Sequence, residues 1–181
     1  MKVPIKGMRN LARGFVLLLA LATYPAKAEI VDSSAGGFTV RTTVNIQAQP
    51  DEVYRRPEHT FSHNAHNLSI EDKPAGCFCE KLPNGGGVRH MEVFVAMPGK
   101  ALVMHGGMGP LLSKATTGGM EIQLSPAEGG TKLEVIYAVA GYLPAGLNTW
   151  AAPFDNVVKE QFTRLKNFVE HGNPAPKEER R

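Results

Sequence analysis

The residues best suited to chemistry crowd into KPAGCFCEKLPNGGGVRHMEVFV, positions 73–95. Both cysteines of the chain, Cys77 and Cys79, stand there, with Glu80 and His90 close by. Thiolates and imidazoles bind metals, thiols carry redox chemistry, and a carboxylate beside a histidine can move protons. Spacing limits each option. Cys77 and Cys79 are one residue apart, so there is no CxxC pair. A regular strand puts them on one face with Cα atoms roughly 6.6 Å apart and parallel Cβ vectors. A disulfide needs Cβ atoms converging to about 3.8 Å. A flat strand therefore favours two buried thiols. A bulge would permit a disulfide, and a metal or redox role is the third alternative.

PNGG, between GCFCEKL and GVRHMEVFVAM, is a hairpin signal. Centring the turn there sets Glu80 about opposite His90, Cys79 opposite Met91 and Cys77 opposite Val93. A second turn, MPGK, sets Glu92 near His105. Cys77, Cys79, Met91, Val93, Val95, Leu102 and Met104 then share one face. Phe78, Glu80, His90, Glu92, Phe94, Val103 and His105 share the other. Polarity makes the Cys/Met face the inner one, with Glu80–His90 and Glu92–His105 as cross-strand pairs on the wet side. A one-residue bulge near Gly85–Gly87 would invert that assignment locally. Glu80 and His90 would then point inward as acid–base or ligand-orienting groups.

Other candidates are weaker. His59, His63 and His66 lie in EHTFSHNAH, and His59/His63 has the i,i+4 spacing of half a zinc site. HExxH is missing, and Pro57, Asn64 and Asn67 favour a solvated loop. There is no GxxxxGK[ST] phosphate loop and no GxSxG elbow. The expectation is no cofactor and no metal.

The beginning of the chain reads as an export signal. MKVPIKGMRNLARG carries four basic residues and no acid, FVLLLALA is a short apolar core, and Ala26 and Ala28 are spaced for signal peptidase. The apolar run is shorter than the roughly 20 residues that span a bilayer. The expectation is a signal peptide over 1–28, a single domain over 29–172 and a loose tail over 173–181. Destination is the periplasm or the medium, with no stable membrane insertion after cleavage. The formal charge of +3 belongs to the signal. Removing Lys2, Lys6, Arg9, Arg13 and Lys27 leaves 15 basic residues against 17 acidic ones, or −2. No basic footprint for nucleic acid survives.

The elements that must position these residues are mostly strands. GGFTVRTTVNI alternates, with Phe38, Val40, Thr42, Val44 and Ile46 on one face. GGMEIQLSP aligns Met120, Ile122 and Leu124; TKLEVIYAVAG aligns Leu133, Val135, Tyr137 and Val139. NLSIED is a further possible strand, and Pro50 with Asp51 and Glu52 starts a short helix or loop. The period then changes. Trp150, Phe154, Val157, Val158, Gln161, Leu165, Phe168 and Val169 stripe one face of a helix of roughly 18 residues. Pro153 suits its first turn and Gly172 its end. The fold class is α+β: a curved antiparallel sheet of about six or seven strands wrapped around a long C-terminal helix.

FTVRTTVNIQAQPDEVY, EHTFSHNAHNLSIEDKPAGCFCEKLPNGGGVRHMEV, VAMPGKALVMHGGMGPL and GYLPAGLNTWAAPFDNVVKEQFTRLKNFVE resemble the START/Bet v 1-like (SRPBCC) superfamily. The likeness is greatest to its polyketide cyclase/dehydrase-like, helix-grip members, and covers about residues 37–170. It implies a cavity between sheet and helix holding an apolar small molecule such as a lipid or polyketide. The residues placed to touch it are Met91, Met104, Met120, Tyr137, Tyr142, Trp150, Phe154 and Phe162. The alternatives are a cyclase- or dehydratase-like enzyme using Glu80 and His90, and a protein-interaction module, as in the chaperone-activating relatives, with no partner named. Such proteins usually carry two short helices between their first two strands. Here only 21 residues separate Ile46 from Leu68, which implies a more open mouth or one filled by the loop.

Overall fold

The computed structural model describes residues 26–56 and 68–174. Most of the proposed signal, the histidine-bearing segment with His59, His63 and His66, and most of the tail lie outside those residues. Eight strands form one antiparallel sheet: β1 (Lys27–Ser34), β2 (Gly37–Ile46), β3 (Leu68–Ile70), β4 (Cys77–Lys81), β5 (Gly87–Met97), β6 (Ala101–His105), β7 (Ala115–Ala127) and β8 (Gly130–Tyr142). Their spatial order is β1-β2-β8-β7-β6-β5-β4-β3. A short helix, α1 (Pro50–Tyr54), follows β2, and a long one, α2 (Asn148–His171), follows β8. A curved sheet against a C-terminal helix is the expected helix-grip arrangement. The eighth strand is the unexpected β1. Its side chains are mostly exposed, so no apolar alternation marked it.

The alternating segments behave as their patterns require. Phe38, Val40, Thr42, Val44 and Ile46 are all buried, as are Met120, Ile122, Leu124, Leu133, Val135, Tyr137 and Val139. α2 closes this face with Ala151, Phe154, Val158, Phe162 and Leu165, a stripe stepping by three and four residues. Val157 falls outside the stripe and is exposed. The helix is longer than its apolar pattern suggested, because it begins at Asn148, leaving Pro153 at its sixth residue. Gly172 ends it in the left-handed conformation, φ 70°, its N–H donating to the Phe168 carbonyl.

Candidate functional site

The β4–β5 hairpin overturns the expected facing. Phe78 pairs with Met91 and Cys77 with Glu92, one residue out of step with the simple PNGG hairpin. An odd shift inverts every side chain. Phe78 therefore joins Met91, Val93 and Met104 in the core, while the cysteines leave that face. Val95 leaves it as well. A second slip, at Phe94, pairs Val95 with Val103 and returns Leu102 to the inside opposite Ala96. Glu92 does face His105, as the second turn requires.

A further slip follows at once. Cys79 pairs with Arg89 and Glu80 with Val88, leaving His90 as the extra residue of a bulge. The bulge lies opposite Phe78 and Cys79 rather than at the glycine run. It turns His90 toward the inner side, where its ring packs on that of Phe78, centroids 5.1 Å apart. Glu80 shares the parity of Phe78 and faces buried Leu68 across β3. His90 Nε2–H donates to Glu80 Oε2 at 3.1 Å. The His90 side chain is only 13% exposed. Its Nδ1 is buried, with no hydrogen-bond partner among the described residues. This carboxylate-oriented imidazole keeps a second nitrogen unspent, an arrangement able to accept a proton.

A flat strand favours two buried thiols, and the structure corrects this: Cys77 and Cys79 form a disulfide, Cα atoms 5.4 Å apart. The flat-strand objection fails because the strand is not flat there. The register slips between Phe78 and Cys79, and the two cysteine Cα atoms there are closer than regular rise allows. Among the described residues no group of three or more His, Cys, Asp or Glu side chains is placed to hold a metal ion.

The residues expected around a ligand are scattered by burial. Met91, Met104, Met120, Tyr137, Phe154 and Phe162 are core. Phe154 packs against Phe38 and Tyr137 with centroids 5.6 Å apart in each case, and Trp150 lies 6.1 Å from it, partly buried. Tyr142 is 71% exposed and stands apart from this cluster. The Tyr137 phenol lies near the Met108 backbone but makes no well-formed hydrogen bond, and its burial pushes the pKa well above that of free tyrosine.

The space between sheet and helices is therefore largely filled. An apolar cleft of about 20 Å³ remains where α1 and α2 meet β6–β8, room for roughly one water. Val53, Tyr54, Leu102, Ile122, Leu124, Leu133, Phe162 and Leu165 line it, with Asp72. Of the residues expected at a ligand, only Phe162 is here. Val53 and Tyr54 were not anticipated. Their signal was the apolar pair ending PDEVY, whose Pro50, Asp51 and Glu52 make a favourable first helical turn. Among the described residues no helix is long and apolar enough to cross a membrane.

No protein-family model matches the chain. No curated protein matches its sequence. Solved structures match its fold. A conserved protein of unknown function from Enterococcus faecalis superposes with a TM-score of 0.58 at 16% identity, covering 84% of this chain and 82% of that one. An uncharacterized protein from Rhizobium leguminosarum gives 0.55 at 13% identity, covering 81% and 99%. The Aha1 dimer from Colwellia psychrerythraea gives 0.51 at 18% identity, covering 74% and 97%. At such identities the likeness is one of fold alone.

Proposed function

We propose that the chain is an exported helix-grip protein of the START/Bet v 1-like kind that binds a slender apolar molecule, such as a single acyl chain, between α1, α2 and the sheet. The carbon-lined cleft at that seam carries the reading. Each methylene buried there would contribute about 0.8 kcal/mol. The cleft is too small as it stands, so the ligand must displace something. α1 is the element suited to yield: five residues, with no side-chain cap, and a helix of that length is marginal by itself. The Cys77–Cys79 bond supports export, since disulfides persist in oxidising compartments.

One experiment checks both parts. Native mass spectrometry of protein recovered from the producing cell's envelope should show a chain beginning at Glu29, with an apolar adduct that dissociates on activation. An uncleaved N-terminus would refute a cleaved signal peptide, and absence of the chain from the envelope would refute export. A cleaved chain that stays bare and also fails to take up fatty acid, with Trp150 fluorescence unchanged, would refute binding. It would favour a protein-interaction module using exposed Phe94, Val95 and Met97.

A second reading is favoured by the Glu80–His90 contact: proton transfer to or from a bound substrate, with His90 Nδ1 as the base and Glu80 orienting the ring. Removing such a base costs about 100- to 10,000-fold in rate. The His90→Gln variant should then lose turnover on a polyketide-like substrate while remaining folded. Turnover equal to wild type would refute a catalytic His90.

A further inference from the structure

We propose that the Cys77–Cys79 disulfide is a redox-sensitive catch that sets the register of the β4–β5 hairpin, and so decides whether Glu80 and His90 meet. Contraction, slip and contact coincide. The bonded cysteines have only Phe78 between them and Cα atoms 5.4 Å apart, short of the roughly 6.6 Å of two extended-strand rises. The pairing slips at the same place, Phe78 facing Met91 but Cys79 facing Arg89. The residue left over by the slip is His90, whose imidazole reaches Glu80 at 3.1 Å.

Without the bond nothing covalent holds the contraction. Regular pairing continued from Phe78 and Met91 would set Cys79 opposite His90, Glu80 opposite Arg89 and Lys81 opposite Val88. The hairpin would close on the PNGG turn. Parity then sends the imidazole to the outer face with Cys79. Arg89, which now pairs with Glu92, would exchange that partner for Glu80. Glu80 keeps a cationic partner in both registers while Glu92 gives up Arg89, and the Phe78–Met91 and Cys77–Glu92 pairs are untouched. A ring closed over one residue constrains the unfolded chain little, so the bond acts locally.

The reductant is a dithiol. Its thiolate attacks one cysteine sulfur, the S–S bond breaks, and a mixed disulfide forms while the other cysteine leaves as a thiolate and takes a proton. The reductant's second thiol then displaces the remaining cysteine. Two electrons and two protons reach Cys77 and Cys79, and the reductant departs as a cyclic disulfide.

The test compares the full chain oxidised with glutathione disulfide and reduced with dithiothreitol. Diethyl pyrocarbonate modification is read at His90 by peptide mass spectrometry, with His105 as internal standard because it pairs with Glu92, beyond the slip. Reduction should raise the His90-to-His105 ratio several-fold, and reoxidation should restore it. Backbone NMR contacts should move from 79–89 to 79–90. The Cys77→Ser/Cys79→Ser variant should match the reduced protein in both buffers, though the dithiothreitol arm needs no variant. An unchanged ratio, or a 79–89 contact that persists after reduction, overturns the proposal. Either would mean that the backbone holds the bulge unaided. The catch is independent of what the cleft binds.

Discussion

Phe162→Ala should lower the unfolding free energy by about 3–5 kcal/mol, the cost of deleting a buried aromatic ring. Phe162 is 1% exposed. It stands in the middle of the α2 stripe, one helical step from both Val158 and Leu165, and lines the cleft with Leu102, Ile122, Leu124 and Leu133. Its removal takes away apolar burial from helix and sheet together, and the rigid strands beneath can close only part of the void. Urea titration measures this as a lower midpoint with little change in slope. Val157→Ala is the internal control. Val157 is on the same helix but 43% exposed, and a surface truncation should stay within about 0.5 kcal/mol. If the two variants lost equal stability, α2 would not be docked by the 154–158–162–165 stripe. A folded Phe162→Ala protein also has a larger apolar void, so a binder should accept bulkier apolar probes there.

That stripe and the strands beneath it were legible because they follow one period without interruption. β2, β7 and β8 alternate over long stretches, and each alternating residue is where parity puts it. β1 was illegible for the opposite reason: KAEIVDSS has no buried face to mark. The hairpin shows a third case. Its composition announced the turn correctly, but pairing is an integer and pattern fixes it only to within one residue. Phe78 and Cys77 both suit a buried position, and polarity, weighing Glu80 and His90 beside Phe78, favoured the wrong register. The slip at His90 is set by backbone closure and by a covalent bond, neither of which has a hydropathy signature. The candidate dyad was thus readable as a pair of residues, Glu80 with His90, and its inward facing only as the alternative that a bulge would bring, with the bulge placed at the glycine run and not opposite Phe78 and Cys79. The filled interior was unreadable too, since an apolar face looks the same whether it lines a cavity or packs against its neighbour.

Gly106→Ala should destabilise the chain by about 2–4 kcal/mol and unseat His90. Two penalties combine in that figure: a side chain at positive φ and a backbone collision. Gly106 follows β6 at φ 152°. Its N–H donates to the Gly118 carbonyl at 2.9 Å, which ties it to β7 on one side. On the other, an added Cβ would run into the His90 carbonyl oxygen and come within 2.9 Å of Met91 Cα. Those atoms are backbone and cannot rotate away. Relief requires β5 to move at the bulge itself, the place where His90 is turned toward Glu80. Gly119→Ala separates this effect from a general loss of glycine. Its Cβ would meet only the His105 ring, at 3.7 Å or more, an ordinary contact, so the change should be within about 0.5 kcal/mol of neutral. Denaturant midpoints give the stabilities, and imidazole NMR shifts report whether His90 has left its partner. A Gly106→Ala protein as stable as Gly119→Ala, with His90 resonances unmoved, would show that β5 and β6 have slack at this point. The inward dyad would then owe nothing to the close approach of Gly106.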